Sequence, residues 1–292
     1  MATSLRALLS YASDFVSHIP FLNTKLQNVL PYEPLSAAPF CPLDGPMSCH
    51  NNTPVAGDSC CFVQPGGRMV LAQFWDWEVY AAGAEEDWTL RGLWPALCDG
   101  TPNEYCQMIP HYTNISSILR YYGQDELFGF MDRYWLAASG PNNHFWQQAY
   151  TKHATCINTL SPACYGAFHS IGLEVVDYFT RAAALFRTLD TYRALQRAKI
   201  LPDPRRRYPR EDVQRALEIF SGGRVVLRCT GSDDMAGTRR EDVLHEVWYV
   251  YFVRGSLQTG QFVPAQELGE KGDVGNCASE VTYLPKTGKG EL

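Results

Sequence analysis

Apolar and polar positions along this chain follow two spacings, one typical of strands and one typical of helices. Apolar runs predict strands over residues 68–75 and 88–94, and alternating large side chains predict another over 244–253. The alternating side chains of that last strand are Leu244, Glu246, Trp248, Val250 and Phe252. Apolar residues at helical spacing predict helices over residues 116–122, 126–134, 145–155, 173–186 and 211–220.

The mixture of strands and helices along the chain predicts an α+β fold. Neither an internal repeat nor a change of composition divides the chain. We therefore expect a single domain over residues 41–292, preceded by a leader or loosely ordered segment over residues 1–40.

The charge of the chain limits the classes of partner. The formal net charge is −6, whereas proteins with a general affinity for nucleic acid or anionic membranes usually carry a basic surplus. A phosphate-bearing ligand must therefore meet a local basic site. The basic run over residues 205–210 is one candidate, but Glu211 and Asp212 follow it directly, and we interpret it as a solvated loop. No stretch approaches the roughly 20 apolar residues of a membrane span.

The chain contains ten cysteines, and none of them forms a C-x-x-C pair with histidines at zinc spacing. Cys60 and Cys61 are adjacent, which suits two disulfides leaving in different directions better than one metal site. Disulfides persist mainly in oxidising compartments, and glycosylation sequons begin at Asn51 and Asn114. These features predict a secreted or vacuolar glycoprotein. The apolar run over residues 7–12 is short for a signal peptide. Three interpretations stay open: the start of the chain is assigned wrongly, the run with Arg6 is a marginal signal, or export is lost.

Two short stretches carry unusual residues. In "WTLRGLWP", the charged Arg91 interrupts an otherwise apolar strand. In "FWQQAYTKHATC", helical spacing places Phe145, Ala149, Lys152 and His153 on one face. A lysine can hold a phosphoryl oxygen while a neighbouring imidazole moves a proton near neutral pH. Taken alone, however, a Lys-His pair on a helix is more often an ordinary surface feature.

Taken together, the two stretches resemble the strand motif H-G-L-W-P and the helix motif F-W-x-H-E-W-x-K-H-G-T-C of the ribonuclease T2 family, in its fungal form. The resemblance extends to "SCHNNTPVAGDSCCFVQPGG", "CDGTPNEYC" and "INTLSPACY", and it covers the chain from Cys41 onward. It implies a central antiparallel sheet flanked by helices and five disulfides. By the family's cysteine order these are Cys41–Cys61, Cys49–Cys98, Cys60–Cys164, Cys106–Cys156 and Cys229–Cys277.

The resemblance also implies a reaction. The family cleaves single-stranded RNA by driving the 2′-hydroxyl onto the adjacent phosphorus, which leaves a 2′,3′-cyclic phosphate, and the reaction requires neither a metal nor a cofactor. His153 corresponds to the histidine usually assigned as general base, and Lys152 to the lysine that stabilises the phosphorane. Arg91 replaces the strand histidine, the usual general acid. A guanidinium keeps its proton at working pH because its pKa exceeds about 12, so Arg91 can hold phosphate but cannot donate a proton to the leaving group.

Other positions of the implied site have changed as well. Ala149 replaces an acidic residue of the helix motif, and Gln148 replaces a third histidine. Trp94, Phe145 and Trp146 are the expected substrate-binding residues. The base pocket has been reduced, because Ala96 stands where the family commonly has Asp, and Pro102 stands where fungal members commonly have a Tyr.

These replacements leave three hypotheses open. The first is a family member that binds single-stranded RNA but has lost most or all of its cleavage activity. The second is an active endoribonuclease that uses His153 and Lys152 with a substitute proton donor, for which His111 and His144 are candidates near the motifs. The third is a protein that uses the fold for an unrelated partner. We expect a monomer that binds neither DNA nor membranes.

Overall fold

The structure is a computed structural model that describes residues 32–50, 59–77, 83–233 and 239–286. Within these ranges, seven strands form one sheet flanked by helices, which confirms the predicted α+β fold. The strands are β1 (Arg68–Phe74), β2 (Thr89–Ala96), β3 (Arg207–Pro209), β4 (Val225–Asp233), β5 (Arg239–Arg254), β6 (Gln261–Pro264) and β7 (Glu280–Thr282).

The long strand β5 organises the sheet. The strand order is β2-β1-β5-β7-β3, and β4 and β6 also pair with β5. The pairings are antiparallel except for one parallel contact between β5 and β7, at Val243 and Thr282. All three strands predicted from the sequence are present. Four strands were not predicted. Strands β3, β6 and β7 have only three or four residues, too few to show a period, and the nine-residue β4 contains two irregularities in its pairing with β5.

The helices are α1 (Ile115–Tyr121), α2 (Asp125–Tyr134), α3 (Asn142–Lys152), α4 (Leu173–Arg187), α5 (Thr191–Arg197) and α6 (Arg210–Ser221). The five predicted helices are confirmed, with ends that differ by a few residues, and only the short α5 was missed. Helix α3 ends at Lys152 and is followed by a 3₁₀ turn at Ala154–Cys156, so His153 lies at the junction of the two. None of the helices in the described ranges combines the length and the apolar character needed to cross a bilayer.

The main hydrophobic core lies between the sheet and the helices. Met69 and Leu71 of β1 are fully buried there, as are Tyr178 and Phe179 of α4. The Tyr178 hydroxyl donates a hydrogen bond to the carbonyl oxygen of Leu93 in β2, at 2.8 Å. Burying one large apolar side chain contributes about 1.5–3 kcal/mol. Helix α4 therefore holds β1 and β2 in place from one face and leaves the opposite face available.

A β-bulge in β2 decides which of its side chains share a face. Ala72 of β1 pairs with Gly92, whereas the next residue of β1 pairs with Leu90, so Arg91 is an extra residue in β2. Leu90 and Leu93 both lie in the main core, although strict alternation would place them on opposite faces. The bulge thereby directs Arg91 and Trp94 to the face away from the main core.

A second irregularity interrupts the alternation predicted for β5. Glu246 pairs with Arg228 and Leu244 pairs with Cys229, which leaves His245 as an extra residue. Leu244 consequently lies in the main core, whereas the later residues of the predicted alternation face the smaller cluster on the other side of the sheet. The predicted strand is confirmed, but its large side chains do not all share one face.

The five disulfides implied by the resemblance are confirmed in the structure. They join Cys41 to Cys61, Cys49 to Cys98, Cys60 to Cys164, Cys106 to Cys156, and Cys229 to Cys277. Of the two sequon residues, Asn51 lies outside the described residues. Asn114 is exposed and caps α1 by accepting a hydrogen bond from the backbone N–H of Ser117 at 3.2 Å.

The segment predicted as a leader joins the domain before residue 40. The Tyr32 hydroxyl and the Leu35 backbone N–H both donate to the carboxylate of Asp177, at 3.1 and 2.8 Å. The backbone N–H of Tyr32 also donates to the carbonyl oxygen of Tyr122 at 3.3 Å. Tyr32 and Leu35 are thus tied to the domain, and residues 1–31 of the predicted leader lie outside the described residues.

In the basic run over residues 205–210, Tyr208 is buried, Arg210 is half-buried and the other residues are exposed. Arg207 forms an ion pair with the buried carboxylate of Asp242 at 2.8 Å. Asp212 pairs instead with Arg215 in α6, at 3.2 Å. The run thus anchors β3 to the sheet through one arginine, because folding brings Asp242 beside it from a distant part of the chain.

Candidate functional site

A cavity of about 500 Å³ lies between the exposed face of the sheet and α3. Its walls are formed by residues of β1, β2, β5, α3 and the loop before Cys106. They are Phe74, Arg91, Trp94, Tyr105, Phe145, Gln147, Gln148, Ala149, Thr151, Lys152, His153, Glu246 and Trp248. The five residues that the sequence suggested for catalysis thus meet in one cavity, together with two of the three suggested for substrate binding.

Arg91 points into this cavity between two aromatic rings. Its guanidinium carbon lies 4.3 Å from the ring centroid of Phe74 and 5.0 Å from that of Phe145. Burial lowers the pKa of Arg91, while the carboxylates of Glu246 and Asp76 oppose this change. Because an arginine pKa starts above about 12, the side chain remains a cation at working pH. The cavity therefore contains a fixed positive charge held in place by cation–π contacts.

His153 lies deep in the same cavity, with only 6% of its surface exposed. Its ring stacks on that of Trp94, with centroids 5.3 Å apart and planes inclined by 22°. Its Nδ1 atom is buried and has no hydrogen-bond partner in the described part of the chain. Burial, and to a smaller extent the charge of Lys152, lowers the pKa of His153 from 6.5 to about 3. The imidazole is therefore neutral across the usual working range, which is the form that a general base must have before the reaction.

Lys152 is held at the mouth of the cavity by the loop before Cys106. Its ammonium forms an ion pair with Glu104 at 3.1 Å, and its carbonyl oxygen accepts a hydrogen bond from the backbone N–H of Tyr105 at 2.8 Å. The Cys106–Cys156 disulfide fixes this loop against the end of α3. Tyr105 is 65% exposed, so its ring offers a flat surface beside the lysine.

Glu246 and Trp248 of β5 complete the cavity, and the sequence reasoning did not identify them as site residues. Glu246 is 9% exposed and pairs across the strands with Phe74, over which Arg91 lies. Burial raises the pKa of Glu246 from 4.5 to about 7, although Trp248 and the guanidiniums of Arg91 and Arg228 oppose the rise. The sequence does contain one sign that Glu246 belongs to a site, since it is the acidic residue in the otherwise apolar alternation along β5.

Trp248 lies two residues further along β5 and meets Trp94 edge to face, with ring centroids 5.7 Å apart. The ring of His153 stacks on the same Trp94. Gly92 permits this arrangement, since a Cβ atom at that position would come within 2.4 Å of the Trp94 indole nitrogen. The orientation of Trp94 therefore depends on the absence of a side chain at Gly92.

Trp146 requires a correction, because the structure places it outside the cavity. Its side chain is 1% exposed, and its indole N–H donates to the carbonyl oxygen of Trp135 at 2.7 Å. Helix geometry explains the difference, since Trp146 follows Phe145 and points about 100° away from it. Trp146 is a core residue and cannot contact a substrate in this conformation.

The two histidines considered as substitute proton donors also lie elsewhere. His111 and His144 are both exposed, and neither lines the cavity. Ala96 and Pro102 are the altered positions of the implied base pocket. Ala96 is the last residue of β2 and forms an isolated β-bridge with Pro102. Tyr105, three residues beyond Pro102, is the aromatic side chain that this loop contributes to the cavity wall.

Comparisons with known proteins agree with this arrangement. The family model described as "Ribonuclease T2 family" matches residues 66–271. The chain belongs to the ribonuclease T2 family. Ribonuclease T2 of Aspergillus oryzae is 39% identical over 250 residues, which cover 85% of this chain and 84% of that protein. Ribonuclease Trv of Hypocrea rufa is 40% identical over 250 residues, covering 86% of this chain and 100% of that protein.

A solved ribonuclease T2 structure supports the same assignment. The crystal structure of Actibind, described as a T2 ribonuclease, aligns with a TM-score of 0.75 at 34% identity. The alignment covers 86% of this chain and 99% of Actibind. The cavity described above therefore lies in a T2 fold in which the strand motif carries arginine at its first position.

Proposed function

We propose that this protein binds single-stranded RNA in the cavity and cleaves it far more slowly than T2 ribonucleases that carry histidine at the position of Arg91. The observation that carries the proposal is the Arg91 guanidinium, which points into the cavity at the place where the family resemblance expects a proton donor. The phosphate is bound between Arg91 and Lys152, and a base stacks in the aromatic part of the cavity.

The binding half of the proposal rests on the charges and rings that line the cavity. A guanidinium presents several N–H donors that match the geometry of a phosphate, and Lys152 adds a second cation at the cavity mouth. The exposed ring of Tyr105 is available to bases, and Trp94, on which His153 stacks, forms part of the cavity wall. Stacking on an aromatic side chain contributes about 1–3 kcal/mol per base. Tyr105 thereby offsets part of the loss of an aromatic side chain at Pro102.

The catalytic half rests on what the cavity has lost. Removing one proton-transfer group typically lowers a rate by about 10² to 10⁴. Ala149 lines the cavity and provides neither a charge nor a hydrogen bond. His153 and Lys152 remain, and they match a general base and a phosphorane-stabilising cation. Such losses are not additive when residues act as a unit, so we expect slow cleavage through the surviving groups.

RNA binding can be tested separately from cleavage with a fluorescent single-stranded oligonucleotide whose 2′-hydroxyls are methylated. We expect binding that weakens with salt, and Arg91→Ala should weaken it about tenfold and reduce the slope of log K against log salt by about 0.7. Arg197→Ala is the matched control, because Arg197 is exposed on α5 and is not part of the cavity. Absence of binding at low salt would exclude the proposal and favour an unrelated partner.

Cleavage is then measured with unmodified RNA, beside an intact family member. A rate close to that of the intact enzyme would contradict the proposed loss and support the active alternative. We also infer that the protein matures in an oxidising compartment such as the secretory pathway, since its five disulfides require one. Absence of the protein from both the medium and the secretory organelles of its native cells would contradict that inference.

A further inference from the structure

The carboxyl group of Glu246 occupies an unusual place in the cavity. Cross-strand pairing places it opposite Phe74, and the Arg91 guanidinium lies over the ring of the same Phe74. Glu246 and Arg91 therefore share one end of the cavity, the end where the family resemblance expects the proton donor. His153 lies toward the other end, stacked on Trp94.

Glu246 also differs from the other buried carboxyl groups of the sheet region. Asp273 pairs with the buried Arg68, and Asp242 pairs with Arg207. The Oε1 atom of Glu246, in contrast, is buried without a hydrogen-bond partner in the described part of the chain. Burial of a carboxyl group favours its protonated form, and an oxygen atom without a hydrogen-bond partner adds nothing that would stabilise the charged form.

We propose that Glu246 donates the proton to the departing 5′-oxygen during the slow RNA cleavage that this protein retains. The proposal rests on the proposed function, because RNA must first bind with its phosphate between Arg91 and Lys152. Glu246 would thus perform the step that Arg91 cannot perform. Arg91 would instead hold the phosphate and neutralise the charge of the phosphorane.

The step balances without any further reactant. The 2′-oxygen forms a bond to phosphorus while its proton passes to His153, and the bond from phosphorus to the 5′-oxygen breaks. The electron pair of that bond stays on the 5′-oxygen, which takes the proton of Glu246 and becomes a hydroxyl. The products are a 2′,3′-cyclic phosphate, a free 5′-hydroxyl, a Glu246 carboxylate and a His153 imidazolium. Glu246 then takes a proton from water and His153 releases one to water, which restores both side chains.

The surroundings of both groups set the protonation states from which these roles begin. The pKa of Glu246 is raised to about 7 by burial, while Arg91 from β2, Arg228 from β4 and the Trp248 indole oppose the rise. The pKa of His153 is lowered to about 3 by burial and by Lys152. Between these values Glu246 holds a proton and His153 does not. Cleavage should therefore be fastest in mildly acidic solution and decrease as the pH rises through about 7.

The test compares two substrates that differ only in the leaving group. Uridylyl-adenosine releases a nucleoside alkoxide, which must be protonated, whereas uridine 3′-(4-nitrophenyl phosphate) releases a stable phenolate, which needs no proton. Single-turnover rates on both are measured for the full-length protein, for Glu246→Gln and for the control Glu280→Gln. Glu280 is an exposed strand glutamate that does not line the cavity.

We expect Glu246→Gln to lower uridylyl-adenosine cleavage about 100-fold and nitrophenyl ester cleavage less than about threefold. RNA affinity and the rates of Glu280→Gln should be unchanged. In an Arg91→His background the same Glu246→Gln change should cost much less, because the imidazole resumes the donor role. Equal loss on both substrates would overturn the proposal and leave Glu246 a positioning residue.

The remaining outcomes separate the two proposals. If the protein binds RNA but cleaves neither substrate, or cleaves only the nitrophenyl ester, Glu246 is not a working donor while the RNA-binding proposal stands. If it binds no RNA at all, the proposed function itself fails. Cleavage that is unchanged in His153→Ala would come from a contaminant. The protein itself would then have no cleavage activity, and the roles assigned to Glu246 and His153 would both be overturned.

Discussion

Replacing Glu246 with glutamine should stabilise the protein at neutral pH and leave its stability unchanged in acid. Glutamine keeps the shape of the protonated side chain but cannot ionise. The wild-type carboxyl has an ordinary pKa of 4.5 in the unfolded chain and a pKa of about 7 in the folded protein, where it is buried. Because each unit of pKa difference corresponds to about 1.4 kcal/mol, this burial costs about 3 kcal/mol once both states are ionised.

The sign of the effect follows from which state releases its proton first. Below pH 4.5, Glu246 holds its proton in both the folded and the unfolded state, so its ionisation does not change the free energy of unfolding. Between pH 4.5 and about 7, the unfolded state ionises while the folded state does not, so stability falls as the pH rises. Above about pH 7 the difference is constant. The glutamine variant avoids this loss, and its advantage should grow from near zero at acidic pH to about 3 kcal/mol at mildly alkaline pH.

Urea unfolding of both proteins across this pH range measures the difference directly. Other buried groups contribute to the pH dependence, among them Asp177, whose pKa is raised to about 6 by burial. Their contributions are common to both proteins and cancel when one unfolding free energy is subtracted from the other. Glu280→Gln, at an exposed position, serves as the control. A stability difference that does not change with pH would refute the reasoning, as would a variant less stable than wild type above pH 7.

Three further predictions concern the site and the frame that holds it. Arg91→His combined with Ala149→Glu should raise single-turnover cleavage of RNA by at least about 100-fold, since it restores a proton donor and an acidic group; no gain in the assay would mean that the inherited site is not intact. Gly92→Ala should displace the Trp94 indole, because the new Cβ would lie 2.4 Å from its nitrogen, and unchanged tryptophan fluorescence and RNA affinity would contradict this. Asp273→Asn should lower the free energy of unfolding by about 3–5 kcal/mol, since it leaves a buried guanidinium unpaired, and thermal unfolding measures that loss.

Much of the fold could be predicted because its signals are local or are carried by motifs. The predicted strands at β1, β2 and β5 and five of the six described helices are present, since the spacing of their apolar residues is regular, whereas the nine-residue β4 was missed. The disulfide pairing came from the order of the cysteines in the family and not from spacing. The contacts of Tyr32 and Leu35 with Asp177 could not be predicted, because they join segments that are far apart in the chain.

The candidate site could be predicted only in part, for a related reason. Arg91, Lys152 and His153 lie within motifs and could be read from the sequence. Trp146 lies within a motif too, but the rotation of α3 places it in the core. Glu246 belongs to no motif that the sequence reasoning used, and only the pairing of β5 with β1 brings it beside Arg91.

The sequence by itself determined the α+β fold, the family and the presence of a fixed cation where a proton donor is expected. The tertiary structure decided that Arg91 points into the cavity, through a bulge that strict alternation does not predict. It also decided that Glu246 retains a proton to about pH 7. The physical reason is that the pKa of a carboxyl group depends on its burial and its charged neighbours, and strands and helices that are distant in sequence provide both.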